Sequence, residues 1–210
     1  MIHPHYIDAA AVPEKKRYGG FHSVIITVAI VMKKAYNLTE GDIMAFEKTD
    51  VRSIDFNPVT MFADNWALLS GKVGDKYNSM TVSWGALGEL WGKDVLICFV
   101  RPQRYTYEFT ENGDYFSLSF FKSDRKKELG VFGHKSGRDT DKYKETGFTP
   151  AVDGEFEYCG EADFVFLCRK IAFQDMNPDG FIDKSIENNY ANKDYHRTYV
   201  GEILSVLKKV

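Results

Sequence analysis

Short apolar runs alternate with polar turns from about residue 44 onwards, and this pattern predicts strands more often than helices. Residues 66–71 and 79–84 are two such runs, and they flank a polar turn at residues 72–77, so a β-hairpin is expected there. Residues 95–100 are apolar at every position, as in a strand that is covered on both faces. Arg101-Pro102 follows at once and ends that strand.

The remainder of the chain repeats this pattern and adds only brief helical segments. Residues 115–121 alternate in character, so Ser117 and Ser119 share one face of a strand. Longer strands are expected at residues 162–173 and 199–207, and short helices at residues 103–111, 124–129 and 139–145. Many strands with few helices favour a mainly β fold, a closed β-barrel decorated by helices, over a doubly wound sheet.

The N-terminal part differs from this pattern. Residues 24–32 are almost entirely apolar and lie between basic clusters, which superficially imitates a secretion signal. The run is much shorter than the ~20 residues of a membrane-spanning helix, and no small-x-small cleavage pattern follows it. We expect a buried β-rich segment or an appended piece. Residues 1–43 are therefore assigned as an N-terminal extension of unknown role and residues 44–210 as the domain, with Met44 as a candidate start.

Composition narrows the class of protein. The chain has 210 residues, 44% of them hydrophobic, which allows one domain of ordinary length plus an extension. A net charge of −3 gives no bulk attraction to nucleic acid, and neither a nucleic-acid nor a membrane partner is expected. The three cysteines show no CxxC spacing, so we predict neither a disulfide framework nor a metal site, and a reducing cytoplasm as the location.

Two stretches carry candidate chemistry. Residues 78–85 place small hydroxyls and backbone donors in a segment with strand character, and residues 101–106 add arginines where an apolar run ends and a helix begins. A helix start offers free N–H groups to a phosphate, and arginine adds bidentate hydrogen bonds. Together they indicate two walls of a pocket for an anion-bearing cofactor. The alternative is plain structure, since Ser and Thr are common in strands and Trp84-Gly85 can simply pack and turn.

Ordered blocks of residues resemble the flavin reductase-like proteins of the flavoredoxin type over residues 51–210. These blocks are Asn78-x-Met80-Thr81-x-Ser83-Trp84-Gly85, Val100-Arg101-Pro102-x-Arg104-Tyr105-Thr106, Tyr115-Phe116-x-Leu118-Ser119-Phe120-Phe121, Ser136-Gly137-Arg138-Asp139-x-Asp141-Lys142, and the final run Tyr195-His196-Arg197-Thr198-Tyr199-Val200-Gly201-Glu202-Ile203. The resemblance implies an FMN-binding split β-barrel of the Greek-key type with a few short helices. It also implies a homodimer with the flavin near the subunit interface.

The resemblance further implies which residues bind FMN. The isoalloxazine and ribityl chain would be lined by Asn78, Met80, Thr81, Val82 and Ser83, with Trp84 and Arg101 also at the cofactor. Arg104 and Thr106 would reach the phosphate, and a closing loop would supply Ser136, Gly137, Arg138 and Lys142. His196 would face the flavin or its reductant as the catalytic residue, with a neutral-to-cationic switch near physiological pH.

Each of these sites has a structural alternative. Residues 136–139 also fit an ordinary loop into a helix, with Ser136 or Asp139 as the cap and Arg138 in solvent. His196 also fits a half-buried histidine of a strand. Residues 175–183 imitate the first half of a calcium loop, but Ile186 stands at the twelfth place, so we predict a polar connecting loop there.

The function expected from the resemblance is an FMN-dependent oxidoreductase. Electrons would pass from NAD(P)H or a redox protein through FMN to flavin, metal or another acceptor. No GxGxxG motif follows the first strand, so NAD(P)H would be a transient reductant and would not have a Rossmann-type site. The alternatives are a flavin-binding electron carrier or storage module without NAD(P)H turnover, and a β-barrel binding module without flavin.

Overall fold

The computed structural model describes residues 46–210. The predictions about residues 1–43, about the apolar run at residues 24–32 and about Met44 lie outside the described residues. Within them, ten strands are present: β1 Phe46–Thr49, β2 Ala67–Val73, β3 Lys76–Val82, β4 Gly85–Leu90, β5 Lys93–Val100, β6 Tyr115–Phe120, β7 Pro150–Asp153, β8 Phe156–Cys159, β9 Phe164–Asp175 and β10 Arg197–Lys209.

The helices are short. Three helices are present in the described residues, α1 Tyr105–Asn112, α2 Lys126–His134 and α3 Lys142–Thr146, and other short helical segments lie at Val51–Ser53, Pro58–Thr60, Met61–Asn65, Pro178–Gly180 and Lys184–Asn189. No helix in residues 46–210 combines the length and the apolar character needed to cross a membrane.

Eight strands form one antiparallel sheet in the order β3-β2-β6-β9-β10-β5-β4, with β1 paired to the far end of β10. The mainly β fold predicted from the sequence is confirmed. The two ends of the sheet are consecutive in the chain, because only Ser83 and Trp84 separate β3 from β4. No ladder joins β3 to β4 within the described residues. The barrel is therefore open along β3, whereas the apolar pattern predicted a closed one.

The sheet buries apolar side chains on both faces. Leu69 and Phe166 belong to the apolar cluster on the inner face of the curved sheet. Leu68 and Leu167 belong to a second cluster, which also contains residues of α2 and α3. Strand β2 is consequently apolar at successive positions, as in a strand covered on both faces. Strand β5 differs from its prediction, because Ile97 and Phe99 are only half-buried and one of its faces is incompletely covered.

The segment that imitates a calcium loop uses its oxygens for local structure. Asp175 binds the guanidinium of Arg197 through both carboxylate oxygens, at 2.6 and 2.7 Å. Asn177 accepts from the backbone N–H of Asp179, and Asp183 accepts from that of Ser185, so each caps a helical turn. These contacts agree with the predicted connecting loop.

Candidate functional site

The unpaired edge of β3 is the centre of the site. Lys142 donates from Nζ to the carbonyl oxygen of Ser79, so that carbonyl points away from β2. In an antiparallel ladder, the N–H and C=O of one residue point the same way and alternate along the strand. The backbone groups of Ser79 and Thr81 therefore face outwards along the open edge, where both N–H groups and the carbonyl of Thr81 have no strand partner among the described residues.

Three adjoining cavities follow this edge, and we call them together the trough. The first, of about 380 Å³, is lined by Met80, Thr81, Val82, Ser83, Trp84, Phe99, Arg101, Gln103, Arg104, Asp194 and His196. The middle one, of about 260 Å³, shares Met80 and Arg104 with the first and adds Asn78, Thr106 and residues 134–139. The third, of about 450 Å³, continues past Asn78 towards Tyr77 and Lys142.

The trough brings the sequence-predicted residues together. The hydroxyl-rich strand and the arginine-bearing corner line the same first cavity, and the residues of the 136–142 loop line the middle and third cavities. His196 lies in the first cavity, close to Trp84. The positions agree with one continuous binding site, while the contact of each residue with FMN stays a prediction.

Arg104 lies where the first two cavities meet. Its Nη2 donates to the carbonyl oxygen of Gly133, at 2.5 Å, in the last turn of α2, where partial negative charge favours a cation. No carboxylate within residues 46–210 forms an ion pair with Arg104. Burial and the nearby Arg101 lower the pKa of the Arg104 guanidinium, so an anion beside it would relieve both effects.

Lys142 supplies a second cation on the trough. Its side chain is buried, at 5% exposed, and Nζ lies 5.3 Å from the centre of the Phe132 ring. Burial and the charge of Arg104 lower the pKa of Lys142 to about 8, and Glu157 opposes this shift. Two like charges with carbonyl oxygens as their hydrogen-bond acceptors form a place where an anion is favoured.

The start of α1 adds backbone donors beside these cations. Arg104 is the N-cap residue, with an extended backbone and no side-chain cap. The N–H groups of Tyr105 and Thr106 are therefore among those that a helix start leaves free. The Thr106 hydroxyl accepts from Nδ2 of Asn78 at 2.7 Å, which fixes α1 against β3. This corner combines a cation with amides that suit a phosphate.

The loop after α2 packs tightly over this corner. A Cβ at Gly137 would lie 2.0 Å from Oδ1 of Asn78, so only glycine allows this approach. The Ser136 hydroxyl accepts from the N–H of Arg138 at 3.1 Å, which agrees with the local-capping alternative for Ser136. The helix that follows is capped by Asp141, whose Oδ1 accepts from Lys144 N at 3.1 Å, so the alternative of an Asp139 cap is wrong.

Arg138 is not simply solvated, contrary to the structural alternative. Its guanidinium binds the Glu108 carboxylate on α1 and lies 4.4 Å above the centre of the Tyr105 ring. The side chain therefore links the loop to α1 along the wall of the trough.

Arg101 holds the segment that precedes β10. Its Nη1 donates to Oδ2 of Asp194 at 2.6 Å, and Nη2 donates to the carbonyl oxygen of Asn189 at 2.9 Å. Gln103 donates to the same Asp194 oxygen at 2.5 Å. Arg101 thus lines the first cavity with its charge already paired, so its clearest role is to position the segment that carries His196.

His196 is 8% exposed, and its Nδ1 lies 3.0 Å from the hydroxyl of Tyr190. The centre of its ring is 5.1 Å from that of Trp84. Burial and the charge of Arg101 lower the pKa of His196 to about 4. The expected switch near physiological pH is therefore wrong, because the imidazole is neutral there and acts as a hydrogen-bonding group without charge.

Sequence reasoning missed several residues of the first cavity. Phe99 is expected in a covered strand and Gln103 at the start of a helix, neither of them as a site residue, and Asp194 lies two residues before His196. Oδ1 of Asp194 is buried without a hydrogen-bond partner among the described residues. The one signal in the sequence for these three residues is their position close to Arg101, Arg104 and His196.

Comparisons with known proteins bear on the fold of this chain. No protein-family model matches the chain, and no curated protein matches it. Solved structures do. Flavoredoxin from Methanosarcina acetivorans aligns with 21% identity and a TM-score of 0.54, over 78% of this chain and 76% of that one. An FMN-binding domain of a flavin reductases-like enzyme from Shewanella baltica OS155 aligns with 13% identity and a TM-score of 0.56, over 79% and 78%.

A third structure is the NADH:FAD oxidoreductase SgcE6 from Streptomyces globisporus C-1027, in complex with NAD and FAD fragments. It aligns with 12% identity and a TM-score of 0.52, over 69% of this chain and 74% of that one. The chain therefore has the fold of the FMN-binding flavin reductase-like proteins. At the level of the fold, this confirms the resemblance seen in the sequence blocks.

Proposed function

We propose that the trough binds FMN and that the protein is a flavin-dependent oxidoreductase. The observation that carries the proposal is the corner where Arg104 and Lys142, neither paired with a carboxylate among the described residues, meet the uncapped start of α1. Two cations and free amides suit the phosphate of FMN. The open edge of β3 runs from this corner to the first cavity, which has room and backbone donors for a planar ring.

The residues of the chain bind and orient, and the bound flavin supplies the electron-transfer chemistry. Arg104, Lys142 and the amides of α1 hold the phosphate end. The outward backbone groups of Ser79 and Thr81 lie beside the path of the ribityl chain and ring. Neutral His196 and Trp84 form the opposite end of the first cavity, where a reductant or acceptor has access because Trp84 is 43% exposed.

Electrons reach the flavin from NAD(P)H or from a redox protein and leave to free flavin, a metal complex or another acceptor. One neighbour of this fold is an NADH:FAD oxidoreductase, which supports NADH as a candidate donor, and a redox protein is the second candidate. The decisive experiment mixes purified, FMN-loaded protein with NADH or NADPH without oxygen and follows the visible flavin absorbance. Rapid bleaching is expected. An unchanged yellow spectrum would instead identify an electron carrier or storage module, and protein that stays colourless with FMN would refute flavin binding.

The proposal includes a homodimer. Beside the first cavity lies another of about 570 Å³, with an apolar lining that includes Val59, Phe62, Trp84 and Leu87. Val59 is 73% exposed, and Trp84 lines both cavities. Apolar surface next to a binding site supports a second copy there. Sedimentation velocity should show a dimer, and Val59→Glu should shift it to monomer. A monomeric wild-type protein at micromolar concentration would contradict this part of the proposal.

A further inference from the structure

A buried carboxylate lies next to the trough, and the proposed function does not yet use it. Glu157 on β8 is 1% exposed. Its hairpin packs on a patch of buried serines, where the Ser117 hydroxyl donates to the backbone oxygen of Glu157 at 2.5 Å and the Ser119 hydroxyl accepts from Cys159 N at 3.1 Å. A charge buried in this way is costly unless donors hold it, so its contacts are informative.

Both oxygens of Glu157 are held by residues that support Lys142. Oε2 accepts from the Ser79 hydroxyl at 2.9 Å, and the carbonyl of Ser79 is the acceptor for Lys142 Nζ. Oε1 accepts from the hydroxyl of Tyr143, which is the next residue after Lys142 in α3. Burial raises the pKa of the Glu157 carboxyl, whereas the hydroxyls of Tyr143 and Ser79 and the charge of Lys142 oppose this shift and so favour the ionised form.

We infer that Glu157 is a positioning residue for the anion site. Through Ser79 and Tyr143 it holds the ammonium of Lys142 at the trough, near Arg104, and its negative charge favours the protonated amine. The inference rests on the proposed function only in naming FMN as the anion.

Other titratable or charged groups also line the cavities beside Lys142. They are Arg104 at the start of α1, Tyr77 on β3, and Arg138, Asp139 and Asp141 on its own loop. Among the carboxylates, Glu157 is the one whose charge raises the pKa of Lys142. The removal of its charge should therefore have a specific effect on this lysine.

The test compares Glu157→Gln with the wild-type protein. The substitution keeps the size of the side chain and one acceptor oxygen but removes the charge. The titration of the Lys142 side chain is followed by NMR in the flavin-free protein, with Lys142→Met to assign its signal. The midpoint should fall below the wild-type value of about 8. FMN binding should weaken by about tenfold at neutral pH, while riboflavin binding, which involves no phosphate, should not change.

Ser117→Ala is the matched control, because it removes a hydrogen bond to the same strand without touching the carboxylate. It should leave both the Lys142 midpoint and the ratio of FMN to riboflavin affinity unchanged. The inference is overturned if Glu157→Gln behaves like Ser117→Ala in both measurements. If the protein binds no FMN, the proposed function fails, and the Lys142 titration still decides the role of Glu157. If Glu157→Gln does not fold, Tyr143→Phe is used instead, because it removes one of the two contacts to the carboxylate. This variant should weaken the binding of FMN but not that of riboflavin.

Discussion

Arg104→Ala tests the anion site most directly. The side chain makes one hydrogen bond to a backbone carbonyl and no ion pair within residues 46–210, so its charge remains available to a ligand. A hydrogen bond to a charged group contributes about 1.5–3 kcal/mol net, which corresponds to roughly 10-fold to 150-fold weaker FMN binding. Riboflavin lacks the phosphate, so its affinity should change little. The lost contact with Gly133 should lower the free energy of unfolding by about 1 kcal/mol.

The assay is flavin fluorescence titration of FMN and riboflavin against both proteins, with urea unfolding to confirm the fold. Arg52→Ala is the matched control, because it also removes one positive charge. Arg52 forms an exposed ion pair with Asp94 and does not line the trough. The loss in Arg104→Ala should also be smaller at pH 9 than at pH 7, because removal of Arg104 lets the pKa of Lys142 rise above about 8. An equal loss for FMN and riboflavin would refute the phosphate contact.

Three other predictions follow from the trough. The affinity for FMN should be highest below about pH 8 and should fall at higher pH, because Lys142 loses its proton above that value. Isothermal titration calorimetry at several pH values checks this, and an affinity that does not change with pH would contradict it. Gly137→Ala should weaken FMN binding by at least tenfold, since its Cβ would displace the Asn78 amide; retained affinity would show that the loop adjusts freely. The folded pKa of His196 is about 4 against 6.5 when unfolded, so the unfolded chain binds more protons between these values and stability should fall as pH decreases through them. His196→Gln should lack this contribution in urea unfolding at pH 7 and pH 5, and an unchanged pH dependence would argue against a buried neutral imidazole.

Elements with a strong local pattern were predictable from the sequence. The β2–β3 hairpin and α1 form where they were expected, because alternation, a polar turn and the end of an apolar run are local signals, although both strands extend into the predicted turn at residues 72–77. Helix α2 was expected to end near residue 129 but continues to His134. Gly130 and Gly133 are poor helix formers, yet the burial of Phe132 stabilises the last turn. Tertiary packing outweighs local propensity here.

The elements that were missed depend on distant partners. Strand β4 is mostly half-buried or exposed and contains two glycines, so its pattern is weak, and β7 and β8 have four residues each. The contacts of the candidate site also depend on partners that are distant in sequence. Ser79 meets Glu157 across 78 positions in sequence, and Arg101 meets Asp194 across 93. The residue types at the end of an apolar run indicated Arg104, and the resemblance of the sequence blocks indicated Lys142, whereas their supporting contacts required the fold.

The open edge of the barrel and the candidate site are physically connected, because both depend on backbone groups of β3 that no neighbouring strand pairs in the described part of the chain. A free strand edge normally invites pairing with another chain, and closure of β3 onto β4 would remove that hazard. Closure would also consume the outward backbone groups of Ser79 and Thr81, which line the trough. Lys142 instead satisfies the Ser79 carbonyl, and the 136–142 loop lines the trough beside the edge. The apolar pattern predicted a closed barrel, and the structure differs from it at the edge of β3. A ligand needs unpaired backbone donors at that same edge. A variant that loses Lys142 should therefore expose this edge as well as weaken anion binding.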